Sequence, residues 1–585
     1  MIQIILIFLI SSCGFLYGTE LQEIDCAIMD TSIAPGDDFC RYANGKWLDN
    51  NTIPEGRKRW GFFDIAENQT NNELVMLIKE DPILADFFNS GMTGNSLIVK
   101  QMEIIEMISN KADLTRALAY FQLIGMNPLF EIHKPDYWEL RGTHYLYLRQ
   151  TIISITDYPD NEIAEQLAKA TTPAKNPYHL YSLRKLKRSF PNIIWEEYFN
   201  VLQITEKKTV IEQPSYLKLV NNLLEQYSIR QWQHFLELVL SNHAAKLTQP
   251  EEDEELFVMQ TISSCLPDLT GHLYAQKYFG DESYQKVELM ISNLQKAFKI
   301  RINEKDWLSA KTKQKAVQKI DNFTFKIGEP KFDEIDYSSL SIDTHDFLQN
   351  VFNTRKFQTL IRLQNCGNDV LKEEWTIAAH STNAWYSTSR NDITLSAAYI
   401  NQIFDPQYDA AVNYALLGVS IAHEMTHSLD DLGRRYNPDG KPAKWWKKSE
   451  IKHFNKLAEQ ITDQYNSFMI MDTLSVNGKN TLGENIADLG GLNIAYDAWK
   501  LATENEVLQN INGYTPQQRF FLAYAQKWRD LLTDDLKRQY AKSYYHSPPE
   551  FRTNGNVYNV DGFYEAFNVK SGYFYKEKKD RITIW

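Results

Sequence analysis

Residues Asn413–Arg435 read NYALLGVSIAHEMTHSLDDLGRR and place His423, Glu424 and His427 in the pattern H-E-x-x-H. Residues four apart lie one above the other on a helix face, so imidazoles at 423 and 427 can meet one Zn²⁺ while Glu424 points beside it at a bound water. Leu416, Val419 and Met425, with Leu417 and Ile421, leave the stretch before His423 apolar nearly all round, which predicts a buried helix. Gly433 offers a stop, and Asn437-Pro438-Asp439-Gly440 is a turn cluster beyond it. The competing account is two histidines satisfied by ordinary hydrogen bonds. With 12 His in 585 residues that coincidence is a poor explanation, but a third ligand is needed before a metal site is claimed.

That ligand is offered by Thr481–Gly491, TLGENIADLGG, which enters a second predicted helix running towards Trp499. Glu484 and Asp488 share a face one turn apart. Glu484 completes a His₂Glu set with an open water position, and Asp488 can orient a ligand imidazole. Asp430, about one turn beyond His427 on what is predicted to be the same helix, can do likewise.

The rest of the chain bounds this reading. At 585 residues and 43% hydrophobic it can fill large cores and is expected to form more than one domain. The formal net charge of −13 argues against nucleic acid as the partner. Aromatic residues make up 13%, which suits either a large core or the lining of a peptide cavity. Met1–Gly18 carries an apolar run, Ile4–Ile10, like the core of an export signal, and Leu9-Ile10-Ser11-Ser12-Cys13 resembles a lipoprotein cleavage site. Periplasmic, cell-surface or secreted placement is therefore expected, with membrane attachment only through a lipid on Cys13 or an uncleaved signal. Cys26, Cys40, Cys265 and Cys366 lack C-x-x-C spacing, so metal ligands come from His and carboxylate; the four allow three disulfide pairings.

From about Asn68 to Phe323 the pattern is almost wholly helical: Leu217, Val220, Leu224 and Tyr227 recur at helical spacing, as do Val287, Ile291, Leu294 and Phe298. The basic run Lys311–Lys319, flanked by Asp306 and Asp321, reads as a solvated helix face. Gly, Pro, Asp and Ser between Lys326 and Ser341 suggest a domain boundary or a chain crossing between domains. Trp385–Ser389 and Ile393–Leu395 then read as strands, placed to hold an extended peptide by edge pairing.

Five segments together resemble the neprilysin family of zinc peptidases: DDFCRYANGKWL from Asp37, NAWYSTSRN from Asn383, IAHEMTHSLDDLGR from Ile421, GENIADLGGL from Gly483 and YHSPPEFRTNG from Tyr545. The resemblance implies a mostly α fold with a smaller β part in two domains. These would be a thermolysin-like peptidase domain over residues 326–585, with the segment 19–65 packed on it, and a helical domain over 66–325 that closes a central cavity. It implies one zinc per chain on His423, His427 and Glu484, with Glu424 as general base, Asp488 in support and His546 stabilising the oxyanion. Asn383 and the backbone of Ala384 would hold the substrate main chain and Arg552 a substrate carbonyl. Phe63 and Trp528 would line the pocket for the side chain after the scissile bond. Arg59 matches the first of two arginines that meet a substrate's terminal carboxylate in dipeptide-releasing members; the second position here is Glu67. The sequence departs from the family at Ala422, where Gly is common, and at Ser396-Ala397-Ala398-Tyr399, where Tyr399 brings a hydroxyl into the pocket region. The function expected is hydrolysis of short peptides at the amino side of hydrophobic residues. The rival from another class is a catalytically silent peptide-binding protein on the same scaffold.

Overall fold

The computed structural model describes residues 24–93, 97–133, 143–170, 178–248, 253–330, 335–371, 373–471 and 473–585. Met1–Gly18, where an export signal is expected, and Cys13 lie outside the described residues. The chain is mostly helical and its apolar side chains gather into two large cores. One core is built by helices of the first half, among them Pro214–Gln226 and Ile229–Thr248, whose Leu217, Val220, Leu224, Trp232, Phe235 and Leu236 point inward at helical spacing. This block also holds a four-stranded sheet that helical periodicity conceals. Phe130–His133, Leu146–Gln150, Thr209–Ile211 and Leu180–Tyr181 pair in that order, and runs of two to five residues are too short to show a period of their own.

The second core surrounds the metal helix. The N-terminal segment belongs to it through Ile24, Met29, Phe39, Ala43 and Phe62. It is fastened there by polar contacts: Cys40 N–H donates to Asn554 Oδ1 at 3.0 Å and Asn44 Nδ2 to the Ala525 carbonyl at 3.0 Å. Strand Arg59–Gly61 pairs antiparallel with Asp530–Leu532, which joins the two ends of the sequence.

Packing does not divide the chain at 325/326. Val287, Ile291, Leu294 and Phe298 of helix Asp281–Glu304 lie in the metal-side core, whereas Phe347, Leu348, Val351 and Phe352 lie in the helical core. Helix Phe62–Glu80 spans both, with Phe62 in one and Leu74, Leu77 and Ile78 in the other. The short helix Ala397–Ile403 does the same through Ala397 and Ala398 on one side and Ile400 and Ile403 on the other. Cys26, Cys40, Cys265 and Cys366 are all free thiols, so burial of apolar surface carries the fold without cross-links among them.

A three-stranded sheet stands beside the metal helix, in the order Thr324–Gly328, Asp392–Ser396, Ala384–Ser387. The last two strands form the expected hairpin, with Asn391 at φ 55°, a conformation that asparagine tolerates at a turn. Ala384–Ser387 is the edge.

Candidate active site

Ala410–Asn413, a π-helical turn Tyr414–Gly418 and helix Val419–Thr426 run as one rod to His427. There the rod ends, earlier than the sequence suggests: His427–Leu429 is a 3₁₀ turn and Asp430 is extended at ψ −167°. Asp430 is therefore not on the helix. Its carboxylate folds back instead, accepting from Leu432 N–H at 2.8 Å and Gly433 N–H at 2.6 Å through Oδ1 while Oδ2 lies 2.8 Å from His427 Nδ1. Gly433 is required for this closure, because a Cβ there would stand 1.8 Å from the His427 carbonyl oxygen.

Lys319 closes the same segment from outside. Far from belonging to a solvated face, it is fully buried, and its Nζ donates to the carbonyls of Ser428, Gly433 and Tyr436 at 2.9, 2.8 and 2.9 Å. Three carbonyls of the turns that follow the helix match the three donors of an ammonium, the Gly433 carbonyl accepting the Tyr436 N–H as well.

Glu484 and Asp488 arrive on helix Leu482–Ala502. This helix lies against the metal helix backbone to backbone: a Cβ on Gly491 would be 2.8 Å from His423 N and 3.0 Å from the Val419 carbonyl oxygen, and one on Gly490 would meet Thr426 at 2.7 Å. His423 Nε2 then lies 3.1 Å from His427 Nε2 and 3.3 Å from Glu484 Oε2, and His427 Nε2 lies 3.6 Å from Glu484 Oε2. Ligands held tetrahedrally at 2.0–2.1 Å from zinc are about 3.3 Å apart, so the donor triangle fits that ion in size and chemistry. Burial opposes ionisation of Glu484, yet His423, His427 and His546 outweigh it and hold its carboxyl far below the usual range.

The surrounding residues fix this set. Asp488 Oδ1 lies 2.8 Å from His423 Nδ1, and the same carboxylate takes Arg552 Nε and Nη2 at 2.7 and 2.6 Å. Burial disfavours its charge, but the guanidinium and His423 hold it well below its ordinary value. His546 Nε2 is 3.0 Å from Glu484 Oε2, and burial lowers the pKa of its imidazole. Arg552 lies flat over Trp528, its Cζ 3.9 Å from the ring centroid.

These groups face a cavity of about 990 Å³, into which Glu424, Asn383 and the edge strand also open. Asn383 and Trp385 are exposed there and Ala384 is half-buried. Phe63 and Trp528 touch each other on its wall, with ring centroids 5.8 Å apart. Arg59 reaches the wall already paired, with Asp64 Oδ2 at 3.1 Å and Asp530 Oδ2 at 2.9 Å, and Glu67 lines the same wall.

Tyr399 does bring its hydroxyl to the cavity, donating to Ser420 Oγ at 3.0 Å, and burial pushes it up to about 12. Sequence reasoning passed over the residue next to it. Lys527, the last of helix Pro516–Lys527, is 2% exposed yet lines the cavity, donating to the Leu416 carbonyl at 3.1 Å and to Ser420 Oγ. Its only trace in the sequence is a lysine directly before Trp528, at the end of an apolar helical stretch.

Residues 383–582 match peptidase family M13, and residues 35–172 and 160–330 match the N-terminal part of the same family. The chain is 26% identical to human neprilysin over 680 residues, covering 95% of this chain and 90% of that protein. It is 25% identical to an endothelin-converting enzyme homolog of Locusta migratoria, over 93% of this chain and 90% of that one. The Mycobacterium tuberculosis zinc metalloprotease Zmp1 in an open state superposes with a TM-score of 0.81 at 25% identity, over 94% of this chain and all of that chain. The inhibitor complex of Zmp1 superposes at 0.74 and 26% identity, over 96% and 99% of the two chains. The resemblance read from five short segments thus extends over most of the sequence and over the fold, and the chain is a member of peptidase family M13.

Proposed function

We propose that the protein is a zinc-dependent endopeptidase of short peptides, with one zinc held by His423, His427 and Glu484. The observation that carries this reading is the donor triangle at 3.1, 3.3 and 3.6 Å, with Glu424 beside it and facing the cavity. Zinc bound there would supply Lewis-acid polarisation of the scissile carbonyl and lower the pKa of a water. The protein's own groups do the rest. Among the described residues, edge strand Ala384–Ser387 has one side free to pair with an extended substrate. Glu424 takes the proton of the attacking water and passes it to the leaving amine. His546, whose Nε2 lies 3.0 Å from Glu484 Oε2, would donate to the oxyanion, and Arg552, whose Nε and Nη2 are taken by Asp488, would offer Nη1 to a substrate carbonyl.

The test is Glu424→Gln. The variant should keep stoichiometric zinc by metal analysis while turnover of an unstructured peptide falls by about 10²–10⁴. Loss of zinc together with turnover would make Glu424 a ligand and overturn the assignment. We infer export from the Ile4–Ile10 run, which N-terminal sequencing of the mature chain decides.

A further inference from the structure

The pocket beside the metal set has aromatic walls, as expected, but a polar floor. Phe63 and Trp528 form the walls, and Ser420, Tyr399 and Lys527 meet beneath them in one hydrogen-bonded cluster. Ser420 stands on the metal helix three residues before His423 and four before Glu424, so the cluster lies about one turn, roughly 5 Å along the axis, from the groups that handle the scissile bond.

Lys527 differs from the cations of the cavity that meet carboxylates; of the others on the lining, Arg529 donates to the Gln526 carbonyl at 3.1 Å and Lys479 is exposed. Arg59 faces Asp64 and Asp530, Arg390 faces Asp392, and Arg552 faces Asp488. Lys527 donates to two uncharged acceptors, the Leu416 carbonyl and Ser420 Oγ, and has a third N–H to give. A buried ammonium with neutral acceptors alone is costly to keep and gains most from an incoming carboxylate. An apolar side chain pushed against it would strip its remaining access to solvent and give nothing in return.

We propose that this pocket selects an acidic side chain, glutamate above all, as the residue that follows the scissile bond, and that Lys527 sets the preference. The inference rests on the peptidase reading and replaces the hydrophobic residue that the family resemblance implies. The methylenes of glutamate lie against the touching rings of Phe63 and Trp528, and its carboxylate accepts from Lys527 Nζ. Burial, with Arg552 adding to it, holds Lys527 down to about 7 in the free protein, and a carboxylate at that position would raise it again.

The experiment uses the zinc-loaded full chain and end-blocked fluorogenic peptides identical except for Glu, Gln, Leu or Phe after the cleaved bond, with products identified by mass. The expected kcat/KM for Glu exceeds that for Gln, Leu and Phe by about tenfold or more, the scale of one hydrogen bond to a charged group. Lys527→Met should lower the Glu peptide by a similar factor and bring Leu level with it or above it. Faster cleavage of Leu or Phe than of Glu by the unmodified chain overturns the proposal without any variant, and equal rates for Glu and Gln overturn the role of charge. Binding of the same peptides to Glu424→Gln separates the two readings. If no peptide is cleaved by the unmodified chain yet Glu binds at least tenfold tighter than Leu, the pocket assignment stands and the peptidase reading falls; equal binding removes the pocket assignment.

Discussion

One helical turn separates Ser420 from His423 and Glu424, so a side chain that reaches Ser420 from another helix is drawn into the chemistry of the metal site. Lys527 does so, and its charge state then becomes legible in substrate choice. Burial lowers its affinity for a proton, as does the nearby Arg552 charge, while Asp488 and Glu424 pull the other way; the balance lies at about 7. Tyr399, pushed up to about 12, stays a neutral donor throughout. A carboxylate gains from Lys527 only while the amine is protonated, and kcat/KM reports the free protein. Dividing the kcat/KM of the Glu peptide by that of its Gln counterpart cancels every group that acts on both. The ratio is expected to be largest below about pH 7 and to fall as pH rises through that value, because the neutral fraction of Lys527 grows. A ratio that stays level from about pH 6 to about pH 9 would show that Lys527 does not face the substrate carboxylate.

The two helices that carry the metal set are held by contacts their own sequences do not announce. The metal helix ends at His427, and the turn after it depends on Lys319 spanning the carbonyls of Ser428, Gly433 and Tyr436. Lys319→Met would remove a donor from all three carbonyls; Gly433 keeps the Tyr436 N–H, and the carbonyls of Ser428 and Tyr436 lose the ammonium at about 1–3 kcal/mol for each group left buried and unpaired. The variant is expected to show a lower melting temperature, and also weaker zinc binding, because Asp430 and through it His427 Nδ1 lose their frame. Melting lowered with zinc affinity unchanged would confine Lys319 to the stability of the fold. The contrast shows what was legible. His423, His427, Glu484 and Asp488 could be read because their spacing within two helices is itself the geometry, and the edge strand because its alternation sits beside a clear turn. Lys319 and Lys527 could not, since each is defined by what another element brings against it. Gly490 and Gly491 needed the structure for the same reason: only the neighbouring backbone of the metal helix explains the missing side chains. The four-stranded sheet of the helical block escaped because strands this short carry no period, and the helix end was misplaced because an Asp430 side chain, not Gly433 alone, terminates it.

At the scale of the whole molecule the apolar walls of the cavity belong to the metal-side core, through Phe63, Tyr386, Tyr399, Val419 and Trp528, and helices Phe62–Glu80 and Ala397–Ile403, which line its side, run on from there into the helical core. A space of about 990 Å³ admits a few residues of extended chain and no folded domain. Unstructured peptides are therefore expected to be cut and native globular proteins left intact on a gel over the same incubation; digestion of folded substrates at comparable rates would contradict enclosure. The same walls decide between internal cleavage and release of C-terminal dipeptides. Binding a terminal carboxylate needs a cation with charge to spare. Arg59, the candidate for that task, already meets Asp64 and Asp530, so two carboxylates compete with any substrate terminus. Burial pushes the Asp530 carboxyl up to about 7, so Asp64 is the constant competitor, and Glu67 on the same wall adds a further carboxylate where the resemblance would have a second arginine. Like charges at short range in a partly enclosed cavity repel, and the terminus gains nothing that internal sequence does not. A peptide with a free C-terminus two residues beyond the cleaved bond should therefore be hydrolysed no faster than its amide. Glu67→Arg should create a preference for the free acid of about tenfold, the scale of one charge-assisted hydrogen bond in a cavity of this kind. A strong preference for the acid in the unmodified chain would mean that Arg59 leaves Asp64 and Asp530 to receive the terminus, and would assign the chain to dipeptide release.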